Sequence, residues 1–237
     1  MPRFVDYFLI AGIGDDIETP LNPGDIITPT ILHITPPEQW EDFGLPPQIT
    51  NICLPDGWSA LSYCPKPIFV TNVLTDAVGF HSYCTSLLYY ERSNTQVFVP
   101  KVLAVVSRYS YVQNYRDCLV AIFEKLRLAT TKSNYHAAEN IISQLIYDNY
   151  TTEPGSERFI INLGENKSVV YPPLSQTIPP TDDCVAILLK LAGIDNLIRL
   201  FGAFLLENKI VFTSKSYTYL YKCTYGLMSL IYPLKYK

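Results

Sequence analysis

The stretch from Thr181 to Tyr236 sets the tightest limit on the fold, because its start and stop signals allow one order: helix, tight turn, helix, strand, helix. Thr181, Asp182 and Asp183 form a helix start, since an oxygen side chain accepts the unpaired first-turn amides and carboxylates suit the positive end of the dipole. Gly193 stops that helix. Asp195 caps a second one, in which Leu197, Ile198, Phe201, Phe204 and Leu205 recur at the i, i+3, i+4 spacing of a buried stripe, widened by Leu200 and Leu206. That spacing predicts Phe201 and Phe204 as core residues. Lys209 to Thr213 has the β-branched and aromatic content of a strand covered on at least one face. Ser214 or Ser216 caps a third helix, which must end before Pro233.

Upstream the signals favour strands. Phe4 to Ile10 predicts a strand followed by the turn formers Gly12 and Gly14, and the chain then runs through a proline-rich connection from Asp15 to Gln48. Ile52 to Leu54 predicts a strand entering the turn Pro55-Asp56-Gly57, with Trp58 as a packing anchor beside it. Pro67 to Leu74 and Phe80 to Tyr90 predict a hairpin, and Val97 to Val106 a further strand whose first half Pro100 makes an edge or a bend. A helix follows from Tyr111 to Leu128 with Tyr115, Cys118, Leu119, Ile122, Phe123 and Leu126 on one face. His136 to Tyr147 predicts another helix, and Phe159 to Ile161 with Val169 to Tyr171 a short hairpin closed by Gly164-Glu165-Asn166.

Composition excludes several classes. The chain has 237 residues, is 48% hydrophobic and carries a net charge of −4 without a Lys/Arg cluster, which argues against nucleic acid or an anionic membrane surface as its main partner. The six cysteines are scattered without Cys-x-x-Cys and read as reduced core thiols. The start is charged where a signal peptide would be apolar, and the apolar runs are too short to span a bilayer, so the expected location is cytoplasmic.

Three apparent motifs lack the chemistry they suggest. Gly12-x-Gly14 has Ile17 where a dinucleotide loop needs its third glycine, and Pro20 and Pro23 forbid the helix that would hold the pyrophosphate. In Gly164-Glu165-Asn166-Lys167-Ser168, Asn166 stands where a phosphate loop needs glycine, so a hairpin turn is the reading. His33, His81 and His136 lie on different predicted elements with no recurrent acidic or cysteine partner, and no metal, cofactor or bond-making site is expected.

Leu200-Phe201-Gly202-Ala203-Phe204-Leu205-Leu206-Glu207-Asn208-Lys209-Ile210-Val211-Phe212, then a Ser/Tyr-rich helix ending Tyr232-Pro233-Leu234-Lys235-Tyr236, resembles the opening of a central DENN domain. Gln39-Trp40-Glu41-Asp42 and Ile52 to Trp58 resemble the early part of an upstream DENN domain. Val102 to Tyr109, with the helix after it, is similar to the end of its longin-like lobe. The start Met1 to Phe8, Trp40-Glu41-Asp42, Leu163-Gly164-Glu165 and Pro173-Leu174-Ser175 resemble most the amino-terminal DENN module of SET-binding-factor-type, catalytically inactive myotubularins.

The resemblance implies an α/β fold of two lobes, a longin-like antiparallel-rich sheet with packing helices followed by the start of an α/β central DENN lobe. Its divisions are expected at residues 1–128 for the upstream lobe, 129–180 for a linker with a helix and a hairpin, and 181–237 for a truncated central lobe. It further implies a guanine nucleotide exchange factor for a Rab-family small GTPase in membrane trafficking, without cofactor. Membrane association would be peripheral, at endosomal or other vesicular membranes, through parts outside this chain. Such a protein works by binding the nucleotide-free GTPase more tightly than the loaded form. The expected partner contacts are Asp76 and His81 on the hairpin, Arg108 and Tyr111 at the start of the long helix, and Tyr217, Tyr219 and Lys222 on the last helix. A non-catalytic scaffold for a GTPase or another DENN protein is the alternative, and a GTPase-activating subunit using Arg108 or Arg116 a third.

Overall fold

A computed structural model describes residues 3–14, 21–76, 79–93, 97–127, 132–175 and 181–234. Parts of the proline-rich connection, the tip of the predicted hairpin at 77–78, the polar break from 128, the prolines before Thr181 and the terminal Lys235 and Tyr236 lie outside the described residues. The chain divides into two compact units, residues 1–152 with 157–171, and residues 153–156 with 172–237.

The first unit is built on a five-stranded antiparallel sheet in the order β2-β1-β5-β4-β3, from β1 (Tyr7–Gly12), β2 (Thr30–Thr35), β3 (Ile68–Thr75), β4 (His81–Arg92) and β5 (Phe98–Ser107). Period-two alternation divides the strands between two cores. Phe8, Leu87, Tyr89, Leu103 and Val105 face α2 (Val112–Arg127) and α3 (Lys132–Ser143) through Tyr115, Cys118, Leu119, Ile122, Ile141 and Ile142. Tyr7, Leu9, Cys84, Leu88, Val102, Ala104 and Val106 face the opposite way, onto the connection and α1 (Ile49–Cys53), whose Ile49 and Cys53 pack with Leu54, Trp58 and Ala60. The short hairpin of β6 (Phe159–Leu163) and β7 (Asn166–Val170) adds Ile161, Leu163 and Val170 to the helical core. Ser168 ties it to α2 by accepting from Asn114 Nδ2 at 2.9 Å and donating to Asp117 at 3.2 Å.

Most expectations for this unit hold, with three adjustments, the first being that the connection from Asp15 to Gln48 contains the unpredicted strand β2. Ile52 and Cys53 belong to a helical turn rather than a strand, and the Pro-Asp-Gly turn follows it, closed by the Gly57 amide on the Leu54 carbonyl at 3.1 Å. Pro100 lies inside a central strand, but β1 pairs with β5 only from Val102 onward, so the proline occupies the stretch that has β4 alone as a ladder neighbour.

The second unit contains α4 (Cys184–Ala192), α5 (Ile194–Leu205) and α6 (Tyr217–Leu230). Gly193, at φ 74, turns between the first two, and Ser216 Oγ caps the third by accepting from the Tyr219 amide. α6 lies against α4 at Gly226, where an added Cβ would stand 2.8 Å from the Cys184 carbonyl oxygen. Two expectations are corrected. Lys209 to Thr213 is irregular rather than a strand, because no described segment pairs with its backbone, and β composition cannot hold a strand without a ladder. The α5 stripe is not buried. Phe201 and Phe204 are half-buried, and Ile198 and Leu205 are 65% and 52% exposed, since the cluster that α5 meets holds little more than Leu188, Cys223 and Leu227.

Candidate functional site

Five strand ends meet at one edge of the sheet. Val106 lies opposite Tyr7, Ser107 opposite Tyr83, and Thr75 opposite His81. Asp76 and His81 stand at the β3–β4 turn, and Arg108 and Tyr111 lie between β5 and α2, beyond the same end of the sheet.

A charge network fixes this edge. Asp6 is fully buried, and its carboxylate accepts from Arg108 Nη2 at 2.9 Å, from the Arg108 amide at 3.1 Å and from Arg3 Nε at 3.2 Å. Both guanidinium groups reach on to Asp42, Arg108 Nη1 at 3.0 Å and Arg3 through Nη2. Two arginines and two aspartates thus alternate with no net charge. The hydrogen bond from Arg3, and then Arg108, holds the Asp42 carboxyl below its ordinary value. Burial works to lower the Arg108 pKa, but the hydrogen bonds and charges of Asp6 and Asp42 outweigh it and hold it above its ordinary value. Trp40 and Phe43 are seated by the same groups. Arg3 lies 4.1 Å over the Trp40 ring, Arg108 5.3 Å over Phe43, and Trp40 Nε1 donates to the Asp6 carbonyl at 2.7 Å.

The entry to α2 is equally constrained. The buried Tyr115 hydroxyl lies 2.9 Å from Ser107 Oγ, 3.0 Å from the Tyr109 carbonyl and 3.2 Å from the Phe4 carbonyl. Tyr111 stacks between Phe4 and Tyr109, at centroid distances of 5.6 and 6.3 Å, and burial raises its pKa. On the β3–β4 turn, Asp76 accepts from the Phe80 amide at 2.9 Å and His81 Nδ1 shares a hydrogen bond with Thr75 at 2.9 Å.

Two side chains change standing. Arg108 serves as a clamp, its guanidinium committed to Asp6 and Asp42. Phe80, which sequence reading assigns only to the start of a strand, is 72% exposed beside Asp76 and His81. Its signal was an aromatic placed directly after Gly79 at a turn, outside the alternation of the strand. Of the two arginines named for the activating alternative, Arg116 is only 8% exposed, with its guanidinium 5.4 Å over the Phe69 ring, and Arg108 is held by Asp6 and Asp42.

The remaining expected contacts lie on α6 in the second unit. Lys222 pairs with Asp183 at 2.6 Å and so joins α6 to the start of α4. Tyr217 is half-buried at the helix start and Tyr219 is 48% exposed. Among the described residues no group of three or more His, Cys, Asp or Glu could hold a metal ion, and no helix is long and apolar enough to cross a membrane.

Residues 98–237 match the DENN (AEX-3) domain, beginning at β5, and residues 29–89 match the uDENN domain, from β2 into β4. Similar proteins include the DENN domain and WD repeat-containing protein SCD1 of Arabidopsis thaliana, 23% identical over 261 residues that cover 99% of this chain and 22% of that protein. Myotubularin-related protein 5 of Caenorhabditis elegans is 25% identical over 209 residues, covering 88% of this chain and 12% of that protein. DENN domain-containing protein 2D of Mus musculus is 25% identical over 256 residues, 98% of this chain and 49% of that protein. The chain spans less than half the length of each of these relatives.

Proposed function

The chain belongs to the DENN domain family, and from that premise we propose that it acts as a guanine nucleotide exchange factor for a Rab-family small GTPase in the cytoplasm. What supports this reading is that Asp76, Phe80 and His81 at the β3–β4 turn and Tyr111 before α2 lie beyond one end of the sheet, where the Arg3–Asp6–Arg108–Asp42 network fixes the neighbouring ends of β1 and β5. A preformed surface of this kind speeds GDP loss if it binds the nucleotide-free GTPase better than the loaded one, since linkage requires that whatever favours the empty state weakens nucleotide binding. It needs no cofactor. Phe80 supplies an exposed aromatic anchor of the type that dominates interface energetics, and Asp76 and His81 flank it with polar groups.

The test is a panel of purified Rab GTPases loaded with fluorescent GDP. An exchange factor accelerates release from one or a few members and binds their nucleotide-free form at least tenfold more tightly than the loaded form. Phe80→Ala should lose most of that acceleration without a change in melting temperature. Equal affinity for loaded and empty GTPase, with no faster release, would mark a non-catalytic scaffold and overturn the exchange reading.

A further inference from the structure

A concave site lies at the opposite end of the sheet from Arg108. A cavity of about 650 Å³ enters between the last turn of α2 and strands β1, β2, β4 and β5, within the roughly 300–1,000 Å³ typical of small-molecule sites. Its floor is apolar, made by Ile10, Tyr89, Phe123 and Leu126.

A backbone irregularity shapes its wall. Ile10 pairs with His33 but Ala11 with Ile31, which leaves Leu32 as the extra residue of a bulge. A bulge re-aims a side chain, and Leu32 joins His33 in lining the cavity. A Cβ at position 12 would stand 3.0 Å from Leu32 Cδ1 and 3.4 Å from Lys101 Cγ. A side chain at position 12 would press on Leu32 and Lys101 in this wall, and Gly12, which sequence reading gives as a turn former, ends β1 here.

The mouth is charged. Lys101 Nζ bonds Glu91 Oε2 at 3.0 Å, and those two cancel. Arg127 lines the same mouth, is exposed, and makes no ion pair among the described residues. The negative end of α2 offsets about half a charge of it, so the mouth stays net positive. Burial, then the charge and hydrogen bond of Glu91, raise the Tyr89 pKa, so the phenol stays neutral and directed at Glu91.

We propose that this cavity binds a small amphipathic anion, an alkyl or aryl carboxylate or phosphate monoester. Its apolar body lies on the floor formed by Ile10, Tyr89, Phe123 and Leu126, and its head is held at the mouth by Arg127 and Lys101.

The chain carries its own reporter. Cys64 lines the cavity and is exposed, while Cys53, Cys84, Cys118, Cys184 and Cys223 are buried. The rate of Cys64 alkylation by neutral iodoacetamide is followed by mass spectrometry against decanoate, decyl phosphate, decanol and decyltrimethylammonium below their micellar concentrations, with calorimetric titration beside it. The expected result is saturable protection of at least tenfold by one or both anions, with the more protective one identifying the head group, weaker protection by decanol and none by the cation. Arg127→Glu, at an exposed position, should lower the melting temperature only slightly, since it sets a carboxylate at the negative end of α2, and, measured against its own unliganded alkylation rate, should move the anion midpoint at least tenfold upward. Leu126→Trp should fill the floor and remove the protection. No protection and no heat with either anion, equal protection by the cation, or an unmoved midpoint in Arg127→Glu would overturn the proposal.

Discussion

At the scale of single residues, Arg108 shows how a side chain picked out as a contact becomes a support. Its main partner, Asp6, is 102 residues away and Asp42 is 66 away, so no local periodicity could reveal the clamp. Removing one member of a buried ion pair leaves an uncompensated charge, which typically costs about 3–5 kcal/mol. Arg3 stays on Asp6, so Arg108→Ala should cost roughly 3 kcal/mol, the low end of that range. Urea denaturation checks this, and loss of exchange in that variant should follow the loss of folded protein rather than precede it. Asp42 gives a pH dependence with a fixed sign. Its folded pKa is below the ordinary 3.8, so the link to Arg3 and Arg108 contributes fully above 3.8 and is lost as pH falls through the lower folded value. Trp40 fluorescence, beneath Arg3, should therefore be constant from neutrality down to that range and change below it. Asp42→Asn should abolish that step.

Among the elements, those whose residues meet near neighbours in sequence were legible. The β3–β4 hairpin, β5, and α2 with Tyr115, Cys118, Leu119 and Ile122 on its buried face follow from period and turn signals alone. What composition could not supply was the presence of a partner. Lys209 to Thr213 has strand chemistry but no ladder, and α5 has a strong stripe but too small a cluster to bury it. Trp58 was legible because an indole beside a turn nearly always packs, and it is buried with its Nε1 donating to the Thr50 carbonyl at 3.2 Å. Of the candidate site, Asp76, Phe80 and His81 sit at a turn that local signals mark, whereas the Asp6 clamp depends on pairing between distant strands. The α4–α6 contact offers a test in which two effects oppose. Alanine is a better helix former than glycine by about 1 kcal/mol, yet the new methyl at position 226 would meet carbonyl backbone that cannot yield as a side chain does. Overpacking of that kind costs about 1–3 kcal/mol, so Gly226→Ala should give a net loss in thermal stability of the second unit. A rise in melting temperature would mean that the two helices slide apart without cost.

For the molecule as a whole, burial is unevenly divided. Phe8, Leu9, Val102, Leu103, Ala104 and Val105 are fully buried in the sheet, while α5 buries no residue completely. Amide hydrogen exchange should therefore be slowest in β1 and β5 and fastest, among the helices, in α5. Uniform protection across the two units would contradict that division. The place of β1 in the sheet also governs how the chain reaches this state. Strands β3, β4 and β5 follow one another and pair as a meander, but β1 pairs with β5, joining Tyr7 to Val106 and Ala11 to Val102. Closing a loop of nearly a hundred residues costs about 4 kcal/mol of chain entropy before any ladder bond repays it. On a ribosome adding about 5–20 residues per second, the apolar segment Tyr7–Gly12 waits on the order of 5–20 s for its partner strand to be made. During that interval β2 covers one side of β1 while the side meant for β5 stays an open edge, so the nascent chain is exposed there to pairing with the wrong strand.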